Sequence, residues 1–228
     1  KITAFDILDR IDRNMVFKTI YAETDMIITI KNRKINKSMI SYSDGNDKSY
    51  IEFLSPARDK GTKILKLDRV VRIYYPSAER VLRLSGHMLR RSMMGSDFSY
   101  EDMTERATKM REEYSGKILG EETLNGVACI LLELVSKKKK RTYFRRKMWV
   151  NSKIYVPIKE ELYARSGKLL KVSFLDRIES YQGRYYPTRI ILEDKLRKNS
   201  KTEIIQKVIR FNVDIPENTF SERHLQRR

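Results

Sequence analysis

The chain has 228 residues, 40% of them apolar and 34% charged, with 13 Tyr and 8 Phe, a composition that supports a packed core and excludes a disordered chain. No run approaches the roughly 20 uninterrupted apolar residues of a membrane-spanning helix, since even Val127 to Val135 holds Glu133. Lys and Arg number 48 against 30 Asp and Glu, and the resulting +18 favours partners of negative sign, such as anionic membranes, nucleic acid or acidic proteins.

The length fits one domain over residues 1–228, because strand-rich barrels often reach this size as a unit. The chain opens at Lys1 without an apolar leader, and any targeting segment is expected to have been removed. In the first segment Phe5, Leu8, Ile11 and Met15 fall at helical spacing opposite Asp6, Asp9, Asp12 and Arg13, which predicts an amphipathic helix. Thr3 is its N-cap, and Ile2 with Ile7 would form a hydrophobic staple. Alternation then takes over: Met26, Ile28 and Ile30 lie on one face and Thr29 and Lys31 on the other, the period of a strand. Further strands are expected at 37–42, 49–54, 62–67 and 70–75.

Between Ser85 and Thr108 the alternation stops, and Gly86, Gly95, Met88, Met93, Met94 and Met103 stand in its place; short helices are expected. Strands resume at 111–120, 128–136, 147–151, 158–164, 169–178, 188–196 and 202–213. Asn125-Gly126 is a strong hairpin signal, with Ser166-Gly167 and Gln182-Gly183 weaker ones. Cys129 is the only cysteine; its apolar neighbours argue for burial rather than for a nucleophile. Pro216 opens a closing turn or short helix. Sequential antiparallel strands of this number must curl or close to bury one face, with the interrupting segment over the opening.

The chain lacks the G-x-S-x-G elbow, the G-x-x-x-x-G-K-[ST] loop, H-E-x-x-H and paired C-x-x-C. One enzymatic reading survives: His87 close in sequence to Ser85, Ser92, Ser96 and Asp97 has the residue types of an acyl-transfer site, a lipid hydrolase being the runner-up function. Its plain alternative is an exposed histidine opening a helix. Asp97, Glu101 and Asp102 could offer oxygen ligands to calcium without the spacing of an EF-hand loop, or Asp97 could simply cap a helix. No cofactor is expected.

Two segments suit binding. Met88, Leu89, Met93, Met94, Phe98 and Tyr100 either seal a core or form an adaptable lid over an apolar cavity. Lys137, Lys138, Lys139, Lys140 and Arg141, followed by Tyr143, Phe144, Arg145, Arg146 and Lys147, fit anionic lipid headgroups, single-stranded nucleic acid or a solvated hairpin tip.

The stretch from Phe53-Leu54-Ser55-Pro56 to Gly61-Thr62, then Tyr74-Tyr75-Pro76-Ser77, Arg80 to Ser85, and above all Met94-Gly95-Ser96-Asp97-Phe98-Ser99-Tyr100-Glu101-Asp102-Met103, resembles the outer-membrane lipoprotein-sorting family, in its LolA/LolB-like branch. Asn125-Gly126 before Cys129, Trp149-Val150 leading to Pro157, and Ile215-Pro216 through Phe220 extend the likeness over nearly the whole chain. The resemblance implies a mainly β (α+β) fold, an incomplete antiparallel β-barrel or strongly curved sheet with a helical lid, holding a lipid or acylated lipoprotein. It further implies a periplasmic protein or one anchored to a membrane as a lipoprotein, with a membrane transporter as partner and no nucleic acid. A lid arginine is also implied, with Arg83, Arg90 and Arg91 as candidates by location.

Overall fold

The computed structural model describes residues 2–45, 47–104 and 110–227. A helix, α1 (Ala4–Met15), precedes β1 (Thr19–Ile30), β2 (Arg33–Asp44), β3 (Lys48–Ser55), β4 (Lys63–Leu67), β5 (Val70–Tyr75) and β6 (Arg80–Leu84). A 3-10 turn at Gly86–Arg90 and the short α2 (Met110–Glu113) lead to β7 (Tyr114–Leu124), β8 (Val127–Ser136), β9 (Arg145–Asn151), β10 (Pro157–Tyr163), β11 (Leu169–Tyr181), β12 (Arg184–Asp194) and β13 (Ser200–Phe211), and α3 (Glu222–Gln226) closes the chain. The strands form one 13-stranded sheet in the order β6-β5-β4-β3-β2-β1-β13-β12-β11-β10-β9-β8-β7. With β6 and β7 as its edges the sheet is open, as an incomplete barrel requires, rather than closed.

The chain divides into two compact units, each built from two stretches of sequence: residues 1–16 with 107–201, and residues 17–106 with 202–228. In the first, α1 lies on β7, β8 and β9. Thr3 caps it as expected: the Asp6 amide donates to Thr3 Oγ1 at 3.2 Å, and the Thr3 amide donates to Asp6 Oδ2 at 2.7 Å, a closed capping box. Ala4, Ile7, Leu8 and Ile11 are buried against Tyr114, Leu132, Leu134, Met148 and Val150. The expected staple does not form, because Ile7 is spent on this core while Ile2 is left 47% exposed. Gly116 lets the helix approach, for a Cβ there would lie 3.2 Å from Ala4 Cβ and 3.0 Å from a Leu134 methyl.

The second unit buries Met26, Ile28, Met39, Phe53, Ile64, Val71, Ile73 and Leu84 on one face of β1 to β6, under Leu89, Met93 and Tyr100 from the methionine segment. Alternation in β1, with Ala22, Thr24, Met26 and Ile28 buried in turn, is the physical cause: period-two side chains put every second residue on one face. The hairpin turns are where the sequence placed them. Asn125 and Gly126 have φ of 51° and 79°, and Gln182 and Gly183 of 48° and 76°, the left-handed pairs of two-residue turns that match strand twist.

Two expectations are corrected, and one strand was not expected. Over its described residues, as far as Thr104, the segment after β6 is not a set of short helices: beyond Gly86–Arg90 it runs as turns joined by an antiparallel bridge between Ser92 and Ser99, and the expected stretch 105–108 lies outside the described residues. Residues Arg111 to Glu113 complete a helical turn instead of starting β7. Arg80–Leu84 forms an edge strand although four of its five residues are exposed, because its backbone pairs with β5 whatever its side chains face.

One carboxylate in α1 sets a pH dependence. Burial, and then the neighbouring Asp9, push Asp12 up to about 6. A raised carboxyl pKa means that the folded state holds a proton the unfolded chain has released, so stability falls as pH rises from about 4 to about 6 and stays lowered above. Asp12→Asn is expected to gain roughly 1–2 kcal/mol at pH 7, after allowance for partial exposure, and to flatten this dependence; urea denaturation at pH 4 and pH 7 measures both.

Candidate functional site

The Met88 to Met103 segment of the second unit is the best-defined candidate site. It has little regular structure and is held by specific hydrogen bonds. The Glu101 amide donates to Leu89 O at 2.7 Å, Tyr100 N to Arg91 O at 3.2 Å, and Met93 N to Phe98 O at 2.7 Å. Met94 and Gly95, with φ of 53° and 83°, make a tight left-handed turn closed by the Ser96 amide on Met93 O at 3.0 Å. A methionine in that region costs about 1–2 kcal/mol, so the turn must be fixed from outside.

The fixing contact is Asp97. Its carboxylate, 2% exposed, accepts from Thr202 Oγ1 of β13 at 2.7 Å, and its amide donates to the same hydroxyl at 2.9 Å. Asp97 thus anchors the segment to the sheet and caps no helix. Nothing in the sequence near Asp97 pointed to Thr202, which lies 105 residues away. At the other end Arg90 Nε, from one of the arginines singled out by location, stands 3.9 Å from Glu101 Oε2; Arg83 and Arg91 are exposed.

Between these attachments the apolar side chains meet the sheet. Leu89, Met93 and Tyr100 are buried, and Met88, Met94, Phe98 and Met103 are half-buried against the same cluster. Burial, together with a Tyr75 hydrogen bond, keeps the Tyr100 phenol well above its ordinary range and therefore neutral.

The hydroxyls and carboxylates of the segment are engaged in building it. Ser92 Oγ donates to Ser96 O at 2.6 Å and Ser96 Oγ to Met93 O at 2.7 Å, while Asp102 Oδ2 accepts from the Ser99 amide at 2.6 Å and its hydroxyl at 2.9 Å. Of the acyl-transfer set, Ser85, His87 and Ser92 are exposed, and Ser96 and Asp97 are buried, with Ser96 Oγ held by Met93 O and the Asp97 carboxylate by Thr202. Asp97, Glu101 and Asp102 point to separate partners, and among the described residues no group of three or more His, Cys, Asp or Glu gathers at one place.

The basic run is the turn between β8 and β9. Lys137, Lys138, Lys139 and Lys140 are exposed there. Arg141 differs: its side chain is 9% exposed, paired with Glu113 at 2.5 Å and laid over the Tyr114 ring at 4.8 Å. Burial alone would raise Glu113, but the hydrogen bonds and charges of Arg141 and Lys138 outweigh it and hold the carboxyl below its ordinary value. Of the residues that follow, Tyr143 is 2% and Arg146 4% exposed, with Arg146 donating to Glu160 at 2.9 Å and Tyr114 Oη at 3.2 Å, while Phe144, Arg145 and Lys147 are half-buried. Stacking with bases needs accessible ring faces.

A family model described as that of an uncharacterized protein matches residues 45–227. Among solved structures, a DUF1329 family protein from Desulfovibrio piger is similar at 27% identity, with a TM-score of 0.89 over 97% of this chain and 97% of that one. A putative outer membrane lipoprotein-sorting protein domain from Vibrio parahaemolyticus follows at 25% identity and a TM-score of 0.85, covering 96% of each chain. A LolA superfamily protein from Nitrosomonas europaea matches at 25% and 0.81, over 98% of this chain and 100% of its own. No curated protein matches.

Thr202→Val keeps the shape of the side chain and removes the hydroxyl on which Asp97 rests. It is expected to cost about 1.5–3 kcal/mol, the range for a hydrogen bond to a charged group, and to speed amide hydrogen exchange in residues 93–100 more than in β7 to β9.

Proposed function

We propose that the chain, which belongs to a LolA-like family, is a periplasmic or membrane-anchored carrier that shields a lipid, or the acyl chains of a lipoprotein, from water. The observation that carries this reading is the methionine and aromatic segment spread over the apolar face of β1 to β6. Flexible thioethers reshape at little cost, and an acyl chain that slides between Met88, Leu89, Met93, Met94, Phe98, Tyr100 and the strands beneath gains about 0.8 kcal/mol per buried methylene. A few methylenes offset the contacts given up when the segment lifts, and the Asp97–Thr202 anchor keeps it attached meanwhile. Loading and release then call for a membrane transporter or an acylated acceptor as partner. None of the described helices is long and apolar enough to cross a membrane, so in this reading contact with the bilayer is peripheral or through a lipid anchor.

The test is chemical extraction of protein purified under gentle conditions, with mass spectrometry of what it carries. Acyl lipid in near-stoichiometric amount is expected; protein that is lipid-free, and stays so after incubation with phospholipid, sinks the proposal. Met88→Gln with Met94→Gln is expected to weaken lipid binding about thirtyfold, since each change removes apolar burial on the order of 1 kcal/mol, while urea denaturation shifts little because both residues are only half-buried.

A further inference from the structure

The net positive charge is not spread evenly over the first unit. Its strands β7 to β12 are consecutive antiparallel neighbours, so alternate turns fall at opposite ends of the sheet. One end carries Asn125-Gly126, residues 152–156 and Gln182-Gly183, with Lys153 as their only charged side chain. The other end carries residues 137–144, 164–168 and 195–199, which read KKKKRTYF, ARSGK and KLRKN and contain no acidic residue.

These three tips are fastened side by side. The Phe144 amide donates to Tyr163 O at 2.9 Å, and the Lys195 amide donates to Leu170 O at 2.8 Å. The Arg165 guanidinium lies over the Phe144 ring at 5.6 Å. Lys137 to Lys140 are exposed on the first tip, Arg165 and Lys168 on the second, Lys195 and Lys198 on the third. Between the cations of the third tip stands Leu196, at 57% the most exposed of the large hydrophobic residues. Carboxylates at i, i+2 or across a strand pair with basic residues in many places, as Glu161 does with Lys159; on the tips Lys138 and Arg141 pair with Glu113, and Lys195 with Glu193.

We propose that this end of the sheet is a docking surface for an anionic phospholipid bilayer, with the three basic tips against the headgroups and Leu196 inserted below them. A row of three basic turns that contain no acidic residue, with one exposed leucine in the last of them, combines the two terms that hold a protein to such a surface: attraction of each Lys or Arg to the negative headgroups, and burial of an apolar side chain at the acyl boundary. The basic run alone would give only the first. Arg141, turned inward onto Glu113, takes no part. The proposal rests on the reading that the protein works beside a membrane, and not on the identity or presence of a cargo.

Co-sedimentation of the full chain with vesicles tests it. Binding is expected to vesicles of phosphatidylcholine with phosphatidylglycerol and not to phosphatidylcholine alone. Lys139→Ala, Lys140→Ala, Lys168→Ala and Lys198→Ala together are expected to weaken binding at least tenfold, each cation being worth up to about fivefold near the surface. The same number of charges removed from Lys60, Arg80, Arg83 and Lys153, all exposed and outside the tips, is expected to weaken it less than threefold. Leu196→Ser is expected to remove the part of the binding that survives 0.5 M salt. Equal losses in the two quadruple variants, an unchanged tip variant, or a preference for single-stranded DNA over the anionic vesicles would each overturn the docking surface. Retained lipid is measured on the same preparations. A lipid-free protein that still binds vesicles through the tips defeats the carrier reading alone, and a lipid-loaded one that ignores them defeats this proposal alone.

Discussion

A sheet whose strands alternate apolar and polar residues has one face that must be hidden from water, and the protein meets that demand differently in its two units. On β7 to β9 the cover is α1, a capped regular helix whose Ala4, Ile7, Leu8 and Ile11 pack close enough to require Gly116 beneath. On β1 to β6 the cover is the methionine segment, which satisfies its backbone through turns and a single bridge. A helix resists deformation because each turn is tied to the next by main-chain bonds. A segment held at a few points can be displaced between them. The contrast places structural permanence in one unit and adaptability in the other, and binding is best sought where the cover is the looser.

The buried charges serve this arrangement. Taking an ion out of water costs several kcal/mol unless partners replace the solvent, and those in the core have such partners. Lys37, 4% exposed, meets Asp59; Asp59 sits in the Pro56–Gly61 turn, where the amides of Asp59 and Lys60 both donate to Pro56 O. Arg146 has Glu160 and two tyrosine rings. Asp97 has Thr202. The first two join nearby segments and the last spans 105 residues, so that Asp97, which looks like a reactive group in a motif, acts as a fastener. Removing one partner would leave a desolvated charge, which is why such positions tolerate little change.

Much of this was legible from residue order. Alternation located β2 to β5 and β8 to β13 to within about four residues and the second half of β1, Thr3 announced the start of α1, and Asn125-Gly126 announced its hairpin, because each signal is local and acts through neighbouring backbone. The edge strand β6 was not legible, since Arg80, Val81, Leu82 and Arg83 are all exposed and carry no alternating burial. Nor was the shape of the methionine segment. Its methionines, leucine and arginines favour helix, but Met94 and Gly95 turn left-handed and Asp97 bonds to a strand formed at the far end of the chain. The gathering of three basic tips depends on strand order, which spacing alone does not give.

Cys129 adds a practical property. The thiol is 1% exposed, in a cluster with Leu131 and Trp149, and burial raises it above its ordinary value. Only the ionised sulfur reacts readily, so modification must wait until β8 parts from its neighbours. The first unit therefore carries its own clock: the rate at which a thiol reagent labels the intact protein reports how often that part of the sheet opens, without any probe having been introduced.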